Sequence, residues 1–545
     1  MTNFKDKVVY QIYPKSFQDS NGDGFGDLKG VAQRLDYLQE LGVDYLWLTP
    51  FFISPQNDNG YDVANYREID PRYGTMADLD ELIYEADMRG IGLMLDMVFN
   101  HTSTEHEWFQ RALKGEKKYQ DYYIFKKGDG QTLPTNWVSK FGGPVWNYVE
   151  NLGKWYLHLF DPTQADLNWE NPEVREELKS IINFWKEKGI KGFRFDVVNL
   201  ISKPDIYEDD FLGDGRRFYT DGKKVHEYLK ELVQDTGIQD MVTVGEMSST
   251  SLENCIRYSN PEEEELSMCF NFHHLKVDYK DRKKWELMPA DLKELKTLFK
   301  TWQEGMQEGQ GWNALFWCNH DQPRIVSRLG NEEKYWKESA KMLATVIHFM
   351  QGTPYIYQGE ELGMTNPHFT SISQYRDVES LNYYQILLEN GKSKEEALHI
   401  LAERSRDNSR TPMQWSGDKN AGFSKTDPWI EVQKNYESIN VEVEENEADS
   451  ILNFYKKLIH LRKEMPVVSK GTVRFLDEEN EGVIAYEREY EGTKLVVLCN
   501  LCEVEKEVAW QDQWNSYEML LGNYEDGLVN EKLRAYECKV VVSNL

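Results

Sequence analysis

GFRFDVVNL (192–200) is a short, almost continuously apolar run that carries an acid, Asp196, near its end, and it follows an amphipathic stretch, REELKSIINFWKEKG (175–189). Apolar strands of this kind, separated by helical periodicity, indicate a parallel sheet covered on its outer face. Working outward, the pattern recurs in VVYQIYP (8–14), YLWLTP (45–50) and GLMLDMVFN (92–100). It continues in MVTVGEM (241–247), LSMCFNF (266–272), WNALFWCNHD (312–321) and TPYIYQGEE (353–361). Eight such units predict an α/β fold of the (β/α)8 TIM barrel type, which places its chemistry at the C-terminal ends of the strands. A doubly wound open sheet fits less well, because there are eight units and no GxGxxG loop.

Two stretches interrupt the alternation. Residues 101–170, rich in Trp, Tyr, Gly and Asn, are too many for a simple βα connection and predict an inserted subdomain after the third strand. A second insertion follows strand eight and carries SRDNSRTPMQW (405–415). Beyond residue 471, runs such as EGVIAYERE (481–489) and TKLVVLCN (493–500) alternate like antiparallel strands. The predicted domains are a barrel over 1–100 and 171–470, the subdomain 101–170, and a C-terminal β-sandwich over 471–545.

The formal net charge of −30 argues against partners such as nucleic acid or an anionic membrane surface. No run is long and apolar enough to span a bilayer, and the N-terminus lacks the apolar core of a secretion signal. Cys499 and Cys502 form a CxxC, but no second pair or nearby His completes a zinc site, so the six cysteines read as buried free thiols. These features predict a cytoplasmic protein acting as a monomer.

Four strand ends carry polar groups that a packed barrel does not need: Asp96 to His101, Arg194 with Asp196, Glu246, and Asn319 to Asp321. One such acid could cap a helix or pair with a base; four ending this way point to chemistry. Glycoside cleavage with retention needs one carboxylate to attack the anomeric carbon and a second, protonated carboxyl, about 5–5.5 Å away, to protonate the leaving oxygen. Repulsion and partial burial favour one of two neighbouring carboxyls staying protonated.

DMVFNH, GFRFD, VGEM and CNHD, in that order, resemble the four motifs of the α-amylase family of glycoside hydrolases. YQIYPKSF, GYDVANY and RTPMQW resemble its oligo-1,6-glucosidase branch. The resemblance implies that Asp196 is the nucleophile, Glu246 the general acid/base and Asp321 a third carboxylate gripping sugar hydroxyls. It further implies that Arg194 holds Asp196 ionised, that His101 and His320 bind glucose hydroxyls, and that Tyr61 stacks on the sugar. Asp62 and Arg410 match residues that close the subsite around the non-reducing end, implying exo action; a structural ion pair between the two is the alternative.

The loop DSNGDGFGD (19–27) presents Asp19, Asn21, Asp23 and Asp27 in alternation. Alternating oxygens suit a hard cation. Position twelve is Gly30, so this is no complete EF-hand; an Asx-rich turn without metal is the alternative. Similar loops of the branch imply a structural Ca2+, with Phe25 as a further ligand position. No cofactor is expected for catalysis.

NFHHLKVDYKDRKKW (271–285) is basic within this acidic chain. Lys276 first, then Lys280 and Lys284, are candidate ligands of a phosphate, to which ammonium groups bind as point charges. A solvated helix cap is the bland alternative. Together with Val197 after the nucleophile, DGRRFYTDG (214–222) and WCNHDQPRIVSR (317–328), this phrase resembles branch members acting on a small phosphorylated disaccharide, trehalose 6-phosphate. An oligo-1,6-glucosidase or dextran glucosidase shares every catalytic residue. A sucrose-isomerising relative would need an RLDRD-like loop where QPRIVSRLG stands, and a non-catalytic binding relative would lack the acids or carry a membrane span.

Overall fold

The computed structural model describes residues 4–527 and 530–543. Eight parallel strands form the barrel: β1 (Val9–Ile12), β2 (Tyr45–Leu48), β3 (Gly92–Met97), β4 (Gly192–Phe195), β5 (Val242–Glu246), β6 (Met268–Phe270), β7 (Ala314–Leu315) and β8 (Thr353–Tyr357). They pair in the order β6-β5-β4-β3-β2-β1-β8-β7. A parallel bridge between Cys269 and Asn313 closes β6 onto β7. All eight lie inside the runs read from the sequence. Aromatic rings fill the interior, with Phe270 4.6 Å from Tyr355 and 5.7 Å from Trp47 between ring centroids. Interior layers of side chains of this kind make the barrel a packed core.

The helices start where local chemistry permits. Thr75 and Asp78 form a reciprocal capping box ahead of helix Met76–Met88. Asn171 caps helix Pro172–Glu187, whose first residue is a proline with no N–H to satisfy. That helix buries Val174, Leu178, Ile181, Ile182 and Trp185 on one stripe against the barrel.

In the 101–170 insertion, strand His101–Ser103 pairs with Gln164–Asp166, and Phe125–Lys127, Trp146–Val149 and Lys154–Leu157 form a small antiparallel sheet. Trp137, Trp146 and Trp155 join one apolar cluster with Val197 and Leu200, which follow Asp196 closely in the chain. The subdomain is thereby moored to the catalytic end of β4.

The C-terminal unit is a five-stranded antiparallel sheet of β9 (Thr472–Leu476), β10 (Val483–Tyr490), β11 (Thr493–Asn500), β12 (Glu518–Gly522) and β13 (Cys538–Val542). Ile484, Tyr486 and Val497 face the barrel's core, while Val483, Ala485 and Val496 face outward under Trp514. Among the described residues, the outer layer contains only a two-stranded ribbon, Lys506–Glu507 with Lys532–Leu533. Of the β-sandwich read from the sequence, the described residues show one full sheet, whose outward face is covered by this ribbon and by Trp514. No helix is long and apolar enough to cross a membrane among the described residues.

The loop at 19–27 packs tightly: the Gly26 N–H donates to the Lys15 carbonyl at 2.9 Å. A β-carbon on Gly26 would sit 2.0 Å from the Pro14 carbonyl oxygen. Gly26→Ala is therefore expected to cost about 1–3 kcal/mol, as forced overpacking does, and to lower the urea midpoint; an unchanged midpoint would contradict this packing.

Candidate active site

The register of the sheet sets the site. Arg194 stands opposite Asp96 across β4 and β3, and the strands end just beyond. One Nη of Arg194 donates to Asp96 Oδ1 at 2.6 Å and to Asp196 Oδ1 at 2.7 Å, while its other Nη contacts Glu246 Oε2. The second Asp96 oxygen accepts from Trp47 Nε1 at 3.0 Å and Tyr61 Oη at 2.8 Å. Burial pushes the Asp196 carboxyl above its ordinary value, and Arg194 opposes that shift. Burial likewise raises Asp96, to about 6, against the pull of Arg194. Val197 then adopts φ +34°, ψ +39°, a left-handed conformation that a β-branched residue rarely takes. Strain of this kind costs about 1–3 kcal/mol and persists only where packing enforces it; here the tryptophan cluster does so.

Asp321 follows β7 on a turn in which its N–H donates to Asn319 Oδ1 at 2.8 Å. Its Oδ1 accepts from Arg410 Nη2 at 2.7 Å and lies 3.4 Å from Arg406 Nη1. Burial would raise this carboxyl, but the guanidiniums of Arg406 and Arg410 overcome burial and hold it well below the usual carboxylate range. The His320 ring stacks on Tyr61 with centroids 5.0 Å apart and planes 4° from parallel. Burial lowers its pKa to about 3, so the imidazole is neutral. Gln11 donates to its Nδ1 at 2.8 Å, which leaves the proton on Nε2.

A cavity of about 240 Å³ opens above these groups. Ligand clefts commonly span ~300–1,000 Å³, so this one is small and suits a ligand of about one sugar ring. Asp196, Glu246, Asp321, Tyr61 and His101 line it. Arg194, His320 and Arg410 stand behind them as supports, each at most 1% exposed.

Asp62 does not line the cavity, contrary to the sequence expectation. It is fully buried and accepts from Ser54 Oγ at 2.8 Å and from the N–H groups of Asn57 and Asp58 at 2.8 and 3.1 Å. Asp58, four residues earlier, lines the floor instead and accepts from Arg406 Nη2 at 2.8 Å. Neither partner is readable from the sequence, because NDNGYD and SRDNSR each offer two equivalent charges and spacing does not choose between them. Among the described residues there is no ion pair between Asp62 and Arg410, since Arg410 bonds Asp321 instead.

Of the candidate phosphate ligands, Lys276 is half-buried in the mouth. Lys284 also lines the cavity but pairs with Glu379 at 2.6 Å. Lys280 is exposed and lies outside it, on a short turn beyond Tyr279. Lys140, which carries no signal in the sequence, reaches in from the inserted subdomain beside Phe141 and donates to Ser248 Oγ at 3.1 Å. Burial lowers Lys140 to about 7, assisted by Arg216 and Lys276. Lys276 falls to about 8, again by burial, with Arg216 and Arg282 adding to it.

In the loop at 19–27, Asp19, Asn21 and Asp23 each accept the N–H two residues on, at 3.0, 2.9 and 2.9 Å. Asp27 instead accepts the Ser20 and Gly30 N–H groups at 2.9 and 2.7 Å and starts the first helix. These oxygens are of the type a hard cation takes, but in the structure they accept backbone N–H groups, and among the described residues the carboxylates of Asp19, Asp23 and Asp27 do not gather into a ligating cluster. Ser424 donates to Asp19 at 2.6 Å, tying the loop to the second insertion. A separate acidic group, Glu176, Glu231 and Asp235, already surrounds the Lys179 ammonium at 2.6–2.7 Å.

An enclosed sugar-sized cavity with three carboxyls around one guanidinium defines a glycoside hydrolase site. The model of the α-amylase catalytic domain matches residues 11–471; the chain belongs to the α-amylase family. It is 55% identical over 96% of its length to the trehalose-6-phosphate hydrolase of Escherichia coli (strain K12), covering 95% of that protein. It is 46% identical to the oligo-1,6-glucosidase of Bacillus cereus, covering 98% of each chain. The crystal structure of a mutant form of the Bacillus licheniformis trehalose-6-phosphate hydrolase superposes with a TM-score of 0.96 at 52% identity, covering 100% of both chains.

Asp196, the candidate nucleophile, must be ionised to attack. Because burial raises Asp196, it takes up its proton at a higher pH than an ordinary carboxylate does as pH falls. The acid limb of kcat/KM for p-nitrophenyl α-glucoside is expected at a pH above the usual value of about 4, and a limb at or below that value would contradict the burial argument.

Proposed function

We propose that this chain is a retaining, exo-acting α-glucosidase that hydrolyses α,α-trehalose 6-phosphate to glucose and glucose 6-phosphate. The observation that carries the reading is the pair of half-buried ammonium groups, Lys140 and Lys276, at the mouth of a cavity sized for one sugar ring. The similarity to two trehalose-6-phosphate hydrolases supports it.

In this reading the unphosphorylated glucose occupies the closed floor, where Asp58, Arg406, Asp321 and His101 meet its hydroxyls. Asp196 attacks the anomeric carbon and Glu246 gives its proton to the bridging oxygen, so glucose 6-phosphate leaves and a β-glucosyl ester remains. Glu246, now ionised, takes a proton from water, whose oxygen displaces Asp196 and releases glucose with its α configuration. Arg194 stays protonated throughout, compensating whichever carboxyl is ionised. The phosphate dianion sits against Lys140 and Lys276, and its charge restores both ammonium groups to full protonation. Lys284 is already neutralised by Glu379, and Lys280 plays no part.

A phosphorylated sugar is retained inside cells, which favours a cytoplasmic location. The cavity is complete within one chain, which favours a monomer. The loop at 19–27 would hold a structural Ca2+ through Asp19, Asn21, Asp23, Asp27 and the Phe25 carbonyl, supplying rigidity and no chemistry.

The deciding assay is kcat/KM for trehalose 6-phosphate beside trehalose, isomaltose and p-nitrophenyl α-glucoside. A preference of orders of magnitude for the phosphorylated sugar is expected, whereas a preference for isomaltose would make this an oligo-1,6-glucosidase. Lys140→Ala and Lys276→Ala should each lower kcat/KM for trehalose 6-phosphate about 10–100-fold, the worth of a hydrogen bond to a charged group, and leave the aryl glucoside nearly unaffected. Equal losses on both substrates would sink the phosphate assignment. For the metal, chelation with EDTA is expected to lower Tm, reversed by added Ca2+; an unmoved Tm would leave the loop a metal-free turn.

A further inference from the structure

Lys203 is a lysine outside the phosphate site, with a side chain only 5% exposed. Its ammonium has three donors and meets acceptors on three segments: Asn100 Oδ1 at 2.7 Å, the Leu200 carbonyl at 2.5 Å and Asp166 Oδ2 at 2.8 Å. An ammonium only donates, so Asn100 must turn its oxygen toward Lys203. Its amide nitrogen then faces the other way, to Asp166 Oδ2 and to His101 Nδ1, each at 3.2 Å. The Lys203–Asp166 ion pair thus clamps both ends of one amide.

The consequence reaches the cavity. An amide nitrogen also only donates, so His101 Nδ1 must accept and the ring's proton must lie on Nε2. That nitrogen is 3.1 Å from the Tyr61 carbonyl oxygen, which can accept this proton and also accepts from the Gln164 amide at 3.2 Å. The nearby Gln164 amide nitrogen, 3.2 Å away, has an acceptor of its own in Asp58 Oδ2 at 3.0 Å. Burial holds the ring neutral, with a pKa of about 4, so the tautomer, and not a second proton, decides what His101 offers.

We propose that Asn100, clamped by the buried Lys203–Asp166 pair, is a positioning residue that fixes His101 as the Nε2–H tautomer, whose one proton rests on the Tyr61 carbonyl in the free protein and turns to a sugar hydroxyl when a sugar is bound. This rests on reading the cavity as a glucose subsite. The clamp joins the end of β3, the turn after β4 and the last strand of the inserted subdomain, so the three segments are held together by the group that sets the tautomer.

The experiment is a two-bond 1H–15N correlation spectrum of the intact, 15N-histidine-labelled protein, with the His101 signals assigned by their loss in His101→Gln. The free wild-type enzyme should show His101 as the Nε2–H form across neutral pH, and an Nδ1–H form would overturn the proposal. Asn100→Leu, which keeps the Lys203–Asp166 pair, should give mixed tautomers and an about 100-fold lower kcat/KM for p-nitrophenyl α-glucoside, the scale of a misplaced contact. A single unchanged tautomer with unchanged rate in that variant would equally overturn it. The wild-type spectrum needs neither the variant's stability nor any substrate, so it separates from the trehalose 6-phosphate assignment.

Discussion

Everything at the catalytic end of the barrel depends on the guanidinium of Arg194. It lies in the core, 1% exposed, and touches Asp96, Asp196 and Glu246. Removing one partner of a buried ionic group costs about 3–5 kcal/mol, because a charge is left without compensation. Lysine could not replace it, since a point charge lacks the fork that spans carboxyls on three strands. The interaction exists because β3 and β4 pair in the register that sets Arg194 across from Asp96. A shift of one residue would turn both side chains out of the barrel.

A second ionic layer surrounds Asp321. Arg406 and Arg410 come from the segment after strand eight, and Asp377 and Asp58 share them. Four buried charges of alternating sign close the floor of the cavity and bind the second insertion to the barrel with the same contacts. This floor keeps Asp321 ionised, while Asp196 close by is pushed the other way by burial. Carboxyls within one small site thus acquire different protonation behaviour from their neighbours alone.

The barrel strands and the candidate acids that line the cavity are legible in the sequence because each strand is a dense local signal and each acid lies at or just beyond the end of one. Where two like charges lie within one motif, legibility stops. Asp58 and Asp62 are both acids of one loop, and only the folded chain reveals that Asp62 is consumed by Ser54 and two backbone N–H groups. Lys140 is invisible for another reason: it sits far from 271–285 in sequence, in a subdomain whose docking depends on scattered tryptophans. The basic run itself misleads, since Lys280 faces solvent and Lys284 is held by Glu379, 95 residues away. A charge run records composition, whereas a binding site requires convergence, which only tertiary contacts supply.

The inserted subdomain gives the cavity His101, Lys140, Phe141 and Phe160, none of which belongs to the barrel strands. Part of it packs around its own tryptophan cluster with Val197 and Leu200, while Phe109, Tyr122, Tyr123, Ala165 and Leu167 join the core shared with the barrel. The acids and the outer wall of the cavity therefore come from different stretches of the chain. A lineage with this architecture can change what leaves the enzyme by rewriting one surface module, while the register that aligns Arg194 with its carboxyls is inherited untouched.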